Sequence, residues 1–239
     1  MTVTTKSIVL SAIKYGDTSL IVKAFTASDG VKSYLLRGVL TSRKGKVRAG
    51  LFQPLTQIEI VANHKNKGTL ERIREAKVMY PYKTLHTEIV KNSIVLFLAE
   101  ILSNVIQEEE KNIALFNYLE YSLRWLDTSE QVTNFHLLFL IQLTSYLGFY
   151  PDVTDQELPY FDLLEGGFIN RPSLNPILDG DLLHYFKRFL GINFDAVFSI
   201  KMTKPLRQQL LKKVLLYFEL HLHGFRTPRS LAILNAVFN

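Results

Sequence analysis

Cysteine is missing altogether from the 239 residues. That single absence removes disulfides, thiolate catalysis and every cysteine-ligated zinc site, and it fits a reducing compartment. Glycine (12) and proline (8) are sparse, which leaves room for long helices. Membrane-length apolar runs are missing too. The longest charge-free stretch, 131–151, carries Thr133, Asn134, His136, Gln142, Thr144 and Ser145, and reads as a buried helix rather than a span. The opening MTVTTKSIVLS has neither the positive n-region nor the apolar h-region of a secretion signal. A cytoplasmic protein with no membrane contact is the expectation.

The most informative absence is local: no Asp or Glu stands between Asp29 and Glu59. Inside that interval the segment 37–54, RGVLTSRKGKVRAGLFQP, carries Arg37, Arg43, Lys44, Lys46 and Arg48. The imbalance extends along the chain. Residues 1–80 hold 14 Lys and Arg against 5 Asp and Glu, residues 81–200 hold 7 against 16, and residues 201–239 hold 7 against 1. A net charge of +6 therefore hides a basic head, an acidic middle and a basic tail, the pattern of a chain whose two ends meet an anion.

What is present supports a packed protein. Hydrophobic residues make up 47% and aromatics 12%, enough for a substantial core. The first 80 residues read as short strands: KSIVLSAI, SLIVKAF, VKSYLLRGV, LTQIEIVA and TLERIREAKV, with a turn at Ser28-Asp29-Gly30 and another at NHKNKG. In the fourth, Ile58, Ile60 and Ala62 fall on one face. Five strands with an irregular excursion after the third predict a small barrel of the OB type. From Tyr80-Pro81 onward the apolar period becomes helical. One helix spans about 85–105, QEEEKN breaks it, and a second covers 113–125. A third opens on a capping box of Thr128 with Gln131 and stops at Gly148. Residues 150–178 read as irregular, and further helices run over about 181–190 and 205–222. The predicted fold is α+β: an N-terminal five-stranded OB-fold β-barrel over 1–80, then an all-α helical domain over 81–239 with an irregular insertion near 150–178.

Catalytic chemistry finds no support. The six histidines lack metal-ligand spacing. RKGKVR resembles a phosphate loop, but Leu40 stands where the Walker pattern needs glycine. Asp152, Asp155, Glu157, Asp162 and Glu165 could be imagined around Mg²⁺, yet their irregular spacing reads as a solvated loop. No enzyme, cofactor or metal is expected. The basic segment is different, because a single-sign field of this density carries a self-repulsion that mixed surface charge avoids. Neutralising phosphates accounts for it. Arg37, Arg43, Lys44, Lys46, Arg48, Lys65 and Lys67 are the candidate nucleic-acid contacts, with Tyr34 as a stacking face. Lys201, Lys204, Arg207, Lys212, Lys213, Arg226 and Arg229 form a candidate second basic surface. On the residues alone, an OB-fold RNA-binding protein, or an adaptor meeting an acidic protein, stays open.

The stretch KYGDTSLIVKAFTASDGVKSYLLRGVLTSRKG followed by GLFQPLTQIEI resembles the N-terminal region of the RecO family of bacterial DNA repair and recombination mediators. Tyr15-Gly16-Asp17-Thr18-Ser19-Leu20, Phe25-Thr26, Gly30, Arg37-Gly38 and Leu51-Phe52-Gln53-Pro54 carry the likeness. LFLAEIL, LFNYLEYSL, LTSYLGFYPD and YFDLLEGGF extend it. The resemblance implies a non-enzymatic mediator that binds single- and double-stranded DNA and anneals complementary strands. It also implies work with RecR to load RecA onto DNA coated by single-strand DNA-binding protein. Two departures stand out. Many members carry a Cys₄ zinc site after the LG(F/Y)xPD-like stretch, and the region around 168–171 has no cysteine. Some carry a basic pair before the Phe of the third long helix, associated with docking the acidic tail of single-strand DNA-binding protein, where this chain has Thr133-Asn134.

Overall fold

The computed structural model describes residues 1–41, 46–65 and 69–238. They form two compact units, 1–127 and 128–239.

The first unit contains β1 (Thr2–Tyr15), β2 (Ser19–Thr26), β3 (Gly30–Leu36), β4 (Gln57–Asn63) and β5 (Arg72–Val78), with period-two alternation of buried residues clearest in β4. They pair antiparallel in the order β3-β2-β1-β4-β5. The inner face carries Val22, Ala24, Tyr34, Leu36, Ile58 and Ile60, all buried, each large apolar side chain contributing about 1.5–3 kcal/mol by leaving water. The sheet's two edges meet at one isolated parallel bridge, Tyr34 to Glu71. There the Leu35 N–H donates to the Glu71 carbonyl (3.0 Å) and the Glu71 N–H to the Ser33 carbonyl (2.8 Å). Among the described residues the two edges pair through that single bridge, so the ladder does not run closed around a barrel.

Two helices follow, α1 (Ile89–Val105) and α2 (Ile113–Thr128). The α2 ring of Phe116 lies 5.8 Å from that of Phe25 on β2, and Gln57 Nε2 donates to the Glu120 carbonyl at 3.1 Å. Lys23 of β2 donates to the Ser103 carbonyl near the end of α1 at 2.6 Å. The connector before α1 is held by Asp127, whose Oδ1 accepts the N–H groups of Lys83, Thr84 and Leu85 at 3.0, 2.8 and 2.9 Å. Buried Lys91 donates to the Asp127 carbonyl at 2.9 Å.

The second unit contains α3 (Phe135–Tyr146), α4 (Gly180–Phe189), α5 (Lys204–His221) and α6 (Leu231–Val237). Two readings of the sequence change here. Thr128 is the last residue of α2, and α3 begins at Phe135, so no capping box joins Thr128 to Gln131. The residue ahead of α3, Asn134, gives its amide to the Ile200 carbonyl at 2.6 Å instead of capping the helix. The irregular insertion contains a three-stranded sheet, β6 (Tyr160–Asp162), β7 (Gly167–Ile169) and β8 (Ile177–Leu178), in the order β7-β6-β8. Asp162 is not a solvated acid. It is buried, and its carboxylate accepts from the Leu164 and Glu165 N–H groups, the Ser173 hydroxyl and the Asn175 amide at 2.6–3.2 Å. Among the described residues no three His, Asp or Glu side chains converge to hold a metal ion, and no helix is long and apolar enough to cross a membrane.

Candidate nucleic-acid interface

β3 ends at Leu36, and Gly38, at φ +65°, turns the chain into the basic segment. The turn is docked on the start of β2, where the Leu40 N–H donates to the Thr18 carbonyl at 2.9 Å and the Gly38 N–H to Ser19 Oγ at 3.4 Å. Arg37 is thereby fixed, exposed, beside the β1–β2 hairpin. The segment returns along β5: the Lys46 carbonyl accepts from the Ala76 N–H at 3.1 Å, and Lys46 Nζ pairs with Glu75 at 2.5 Å. Lys46 and Arg48 are both exposed. Arg43, Lys44 and Lys67 lie outside the described residues.

The β4–β5 register brings up two arginines that the sequence reading passed over. Val61 pairs with Glu75 and Ala62 with Ile73, so Arg74 is the extra residue of a β-bulge. A bulge re-aims the side chains around it, and here Arg72, Ile73 and Arg74 all border a cleft of about 430 Å³ with Leu35, Leu36, Arg37, Val39, Val47 and Asn63. An adjoining hollow, which Arg37 and Arg72 also border, adds Lys65, Leu70 and the acid Glu71. The signal available in the sequence was the i, i+2 spacing of Arg72 and Arg74 in TLERIREAKV, which puts both on one face of a strand. No ion pair among the described residues neutralises Arg37, Arg72 or Arg74. The acid beneath them, Glu71, is buried and accepts the Lys65 N–H at 2.7 Å. Three guanidiniums without an ion pair among the described residues, around a concave surface, concentrate positive potential where a polyanion can enter.

Tyr34 has to be corrected. It is 0% exposed and offers no face to a base. Its hydroxyl sits 2.8 Å from His64 Nε2, whose other ring nitrogen lies 2.9 Å from Asp29. Burial, with the charges of Asp29 and Glu71 adding to it, pushes the phenol above its ordinary range, so it stays a proton donor. The Asp29 carboxyl, despite the upward pull of burial, is held below its usual range by hydrogen bonds from Ser28 and His64.

The second basic surface divides by environment. Lys201, Lys212, Arg226 and Arg229 are exposed, while Lys204, Arg207 and Lys213 are half-buried. Lys213 is engaged with β8 through the Ile177 carbonyl at 3.1 Å. Arg207 donates to Asn134 Oδ1 at 2.9 Å and to the Met202 carbonyl at 3.2 Å. With Lys201 it borders a cleft of about 220 Å³ that also takes in Thr133, Asn134, Val197, Phe198 and Ile200. Burial lowers the Arg207 pKa from its ordinary value. Neighbouring His136 is pushed down to about 3, by burial first and the Arg207 charge second, and is neutral at physiological pH.

Comparison with known proteins accounts for nearly the whole chain. Residues 1–82 match the family model described as Recombination protein O N terminal, and residues 86–230 that described as Recombination protein O C terminal. The DNA repair protein RecO of Christiangramia forsetii is 51% identical over 238 residues, covering 100% of both chains. The proteins of the same name from Flavobacterium psychrophilum and Phocaeicola vulgatus are 45% and 38% identical, covering 100% and 98% of each chain respectively. With both halves matched in order and relatives of this similarity along its full length, the chain belongs to the Recombination protein O (RecO) family.

Proposed function

We propose that the chain is a DNA repair and recombination mediator without catalytic activity of its own. It binds single- and double-stranded DNA, anneals complementary strands and helps RecR load RecA onto DNA coated by single-strand DNA-binding protein. The observation that carries the DNA-binding step is the cleft bordered by Arg37, Arg72 and Arg74, none of which makes an ion pair among the described residues. Phosphate contacts of this kind fix a strand without reading its sequence. They also bring two strands together by screening their mutual repulsion, which is what annealing needs. The names of the relatives, each a DNA repair protein, point the same way.

The five-stranded order, joined edge to edge by the Tyr34–Glu71 bridge, supports reading the first unit as a partly open OB barrel, a fold that takes nucleic acid on its strands and loops. The acidic tail of single-strand DNA-binding protein is assigned to the second unit. There Arg207 and Lys201 border a cleft lined by Val197, Phe198 and Ile200, and supply the charge that Thr133-Asn134 do not. The test is an annealing assay on complementary oligonucleotides with wild type and an Arg37→Gln, Arg72→Gln, Arg74→Gln variant. The reading requires annealing by the wild type and its loss in the variant. Annealing by neither, or equal annealing by both, contradicts it.

A further inference from the structure

We infer that the outer face of β1–β3 beside the arginine cleft is a base-stacking strip with Tyr15 as its aromatic platform, and that it takes the unpaired bases of a single strand. The inference rests on reading the cleft as a phosphate-binding surface and adds to it a means of telling single strands from duplex.

The strip follows from register. Leu20 pairs with Leu36 and with Lys14, Ile21 with Leu35 and with Ile13, and Ser19 with Tyr15. Because side chains alternate faces along a strand, Leu20, Val22, Tyr34 and Leu36 fill the core. Leu35, Ile21 and Ile13 form a row on the opposite face, and Ser19 and Tyr15 form the next row. Exposure agrees with this division: Ile13 is 64% and Tyr15 56% exposed, whereas Val22 and Tyr34 are 0%. Docking of Gly38 onto Ser19 places Arg37 at the β3 end of the Tyr15 row, and Leu35 itself borders the arginine cleft.

Neighbouring strands lie about 4.8 Å apart, so β3 and β1 are separated by roughly 10 Å, within the combined reach of an Arg and a Tyr side chain. A phosphate held at Arg37 therefore leaves its base over the strip. One step inward the outer face is occupied, since Lys23 reaches the Ser103 carbonyl of α1. Among the described residues, the two rows nearest the hairpin are the ones left open. An apolar strip with an exposed phenol, bordered on one side by guanidiniums that make no ion pair among the described residues, is complementary to a chain that is apolar on its bases and anionic on its backbone. A duplex keeps its base faces stacked inside and has nothing to offer Tyr15.

The test compares wild type, Tyr15→Ala and Tyr15→Phe by fluorescence anisotropy on an oligothymidylate, an abasic strand of the same length and a duplex of that length. Wild type should prefer thymidylate over the abasic strand by roughly tenfold, the effect of one stacked base. Tyr15→Ala should lose that preference, Tyr15→Phe should keep it, and all three should bind duplex alike. Tyr15→Ala that still prefers thymidylate overturns the proposal, as does an equal loss on duplex. A wild type that binds the thymidylate and abasic strands alike overturns the proposal even where a variant folds poorly. The combined Arg72→Gln, Arg74→Gln variant separates the two claims. If it loses binding while Tyr15→Ala does not, the strip alone falls; if neither loses binding, cleft and strip fall together.

Discussion

The Tyr34 hydroxyl lies 2.8 Å from Nε2 of His64 inside the sheet unit, and the other side of the same imidazole lies 2.9 Å from the Asp29 carboxylate. A carboxylate can only accept, so Nδ1 carries a proton toward Asp29 while Nε2 and the phenol share a hydrogen bond. The chain of bonds ties β3 to the β2–β3 turn and to the residue that follows β4. Replacing Tyr34 by Phe leaves a buried imidazole nitrogen without its hydrogen-bond partner. The expected cost is about 1–3 kcal/mol, visible as a lowered melting temperature of the sheet unit, with nucleic-acid affinity unchanged. A fall in affinity at unaltered stability would return Tyr34 to the interface.

Gly30 and Gly16 both adopt positive φ, +63° and +60°, but their surroundings differ. A Cβ on Gly30 would lie 2.6 Å from the Glu108 carbonyl oxygen and 2.7 Å from the Glu110 nitrogen, while one on Gly16 meets nothing within 4 Å. Gly16→Ala should show only the conformational cost of that region, roughly 1–2 kcal/mol. Gly30→Ala must in addition displace the backbone after α1. Denaturant unfolding should rank Gly30→Ala well below Gly16→Ala, and equal midpoints would contradict the packing.

Asp127 predicts a pH dependence. Burial alone would raise its carboxyl, but the backbone N–H groups of Thr84, Lys83 and Leu85 outweigh burial and hold it below the usual 3.8. A group depressed by folding stabilises the protein above its unfolded pKa, and that contribution disappears as the pH falls through the folded value. Thermal stability should thus be level near neutrality and drop below about pH 4. Asp127→Asn should be less stable at pH 7 by about 2–3 kcal/mol and should lose less on acidification. Parallel acid limbs for the two proteins would rule Asp127 out as the cause.

Legibility in the sequence followed the length and regularity of each pattern. Ile58, Ile60 and Ala62 alternate cleanly, and all three are buried. The three- and four-residue period before Val105 and the Pro205 start of α5 likewise survive in the structure. β3 was harder, because GVKSYLL has no clean alternation: Lys32, with its ammonium on Glu109, is as buried as its apolar neighbours. That ambiguity of phase made Tyr34 look available for stacking, while Tyr15, lying in the motif that carried the family resemblance, drew no role. The bulge at Arg74 is a property of pairing between strands and leaves no mark in either strand alone. β6, β7 and β8 are three, three and two residues long, too short for any period to register, and Asp162 looked like a surface acid because the groups that satisfy it come partly from residues 173 and 175.

The central claim is that Arg37, Arg72 and Arg74 bind phosphates, and the salt dependence of binding tests it most directly. DNA affinity of wild type and of the Arg37→Gln, Arg72→Gln, Arg74→Gln variant should be titrated across a range of salt concentrations, on two unrelated sequences. Removing one phosphate-binding charge should flatten the slope of log K against log salt by roughly 0.7–0.9, so the variant's slope should be shallower by about 2–3, equally on both sequences. A folded variant with the wild-type slope would contradict the account and place the DNA site elsewhere on the chain.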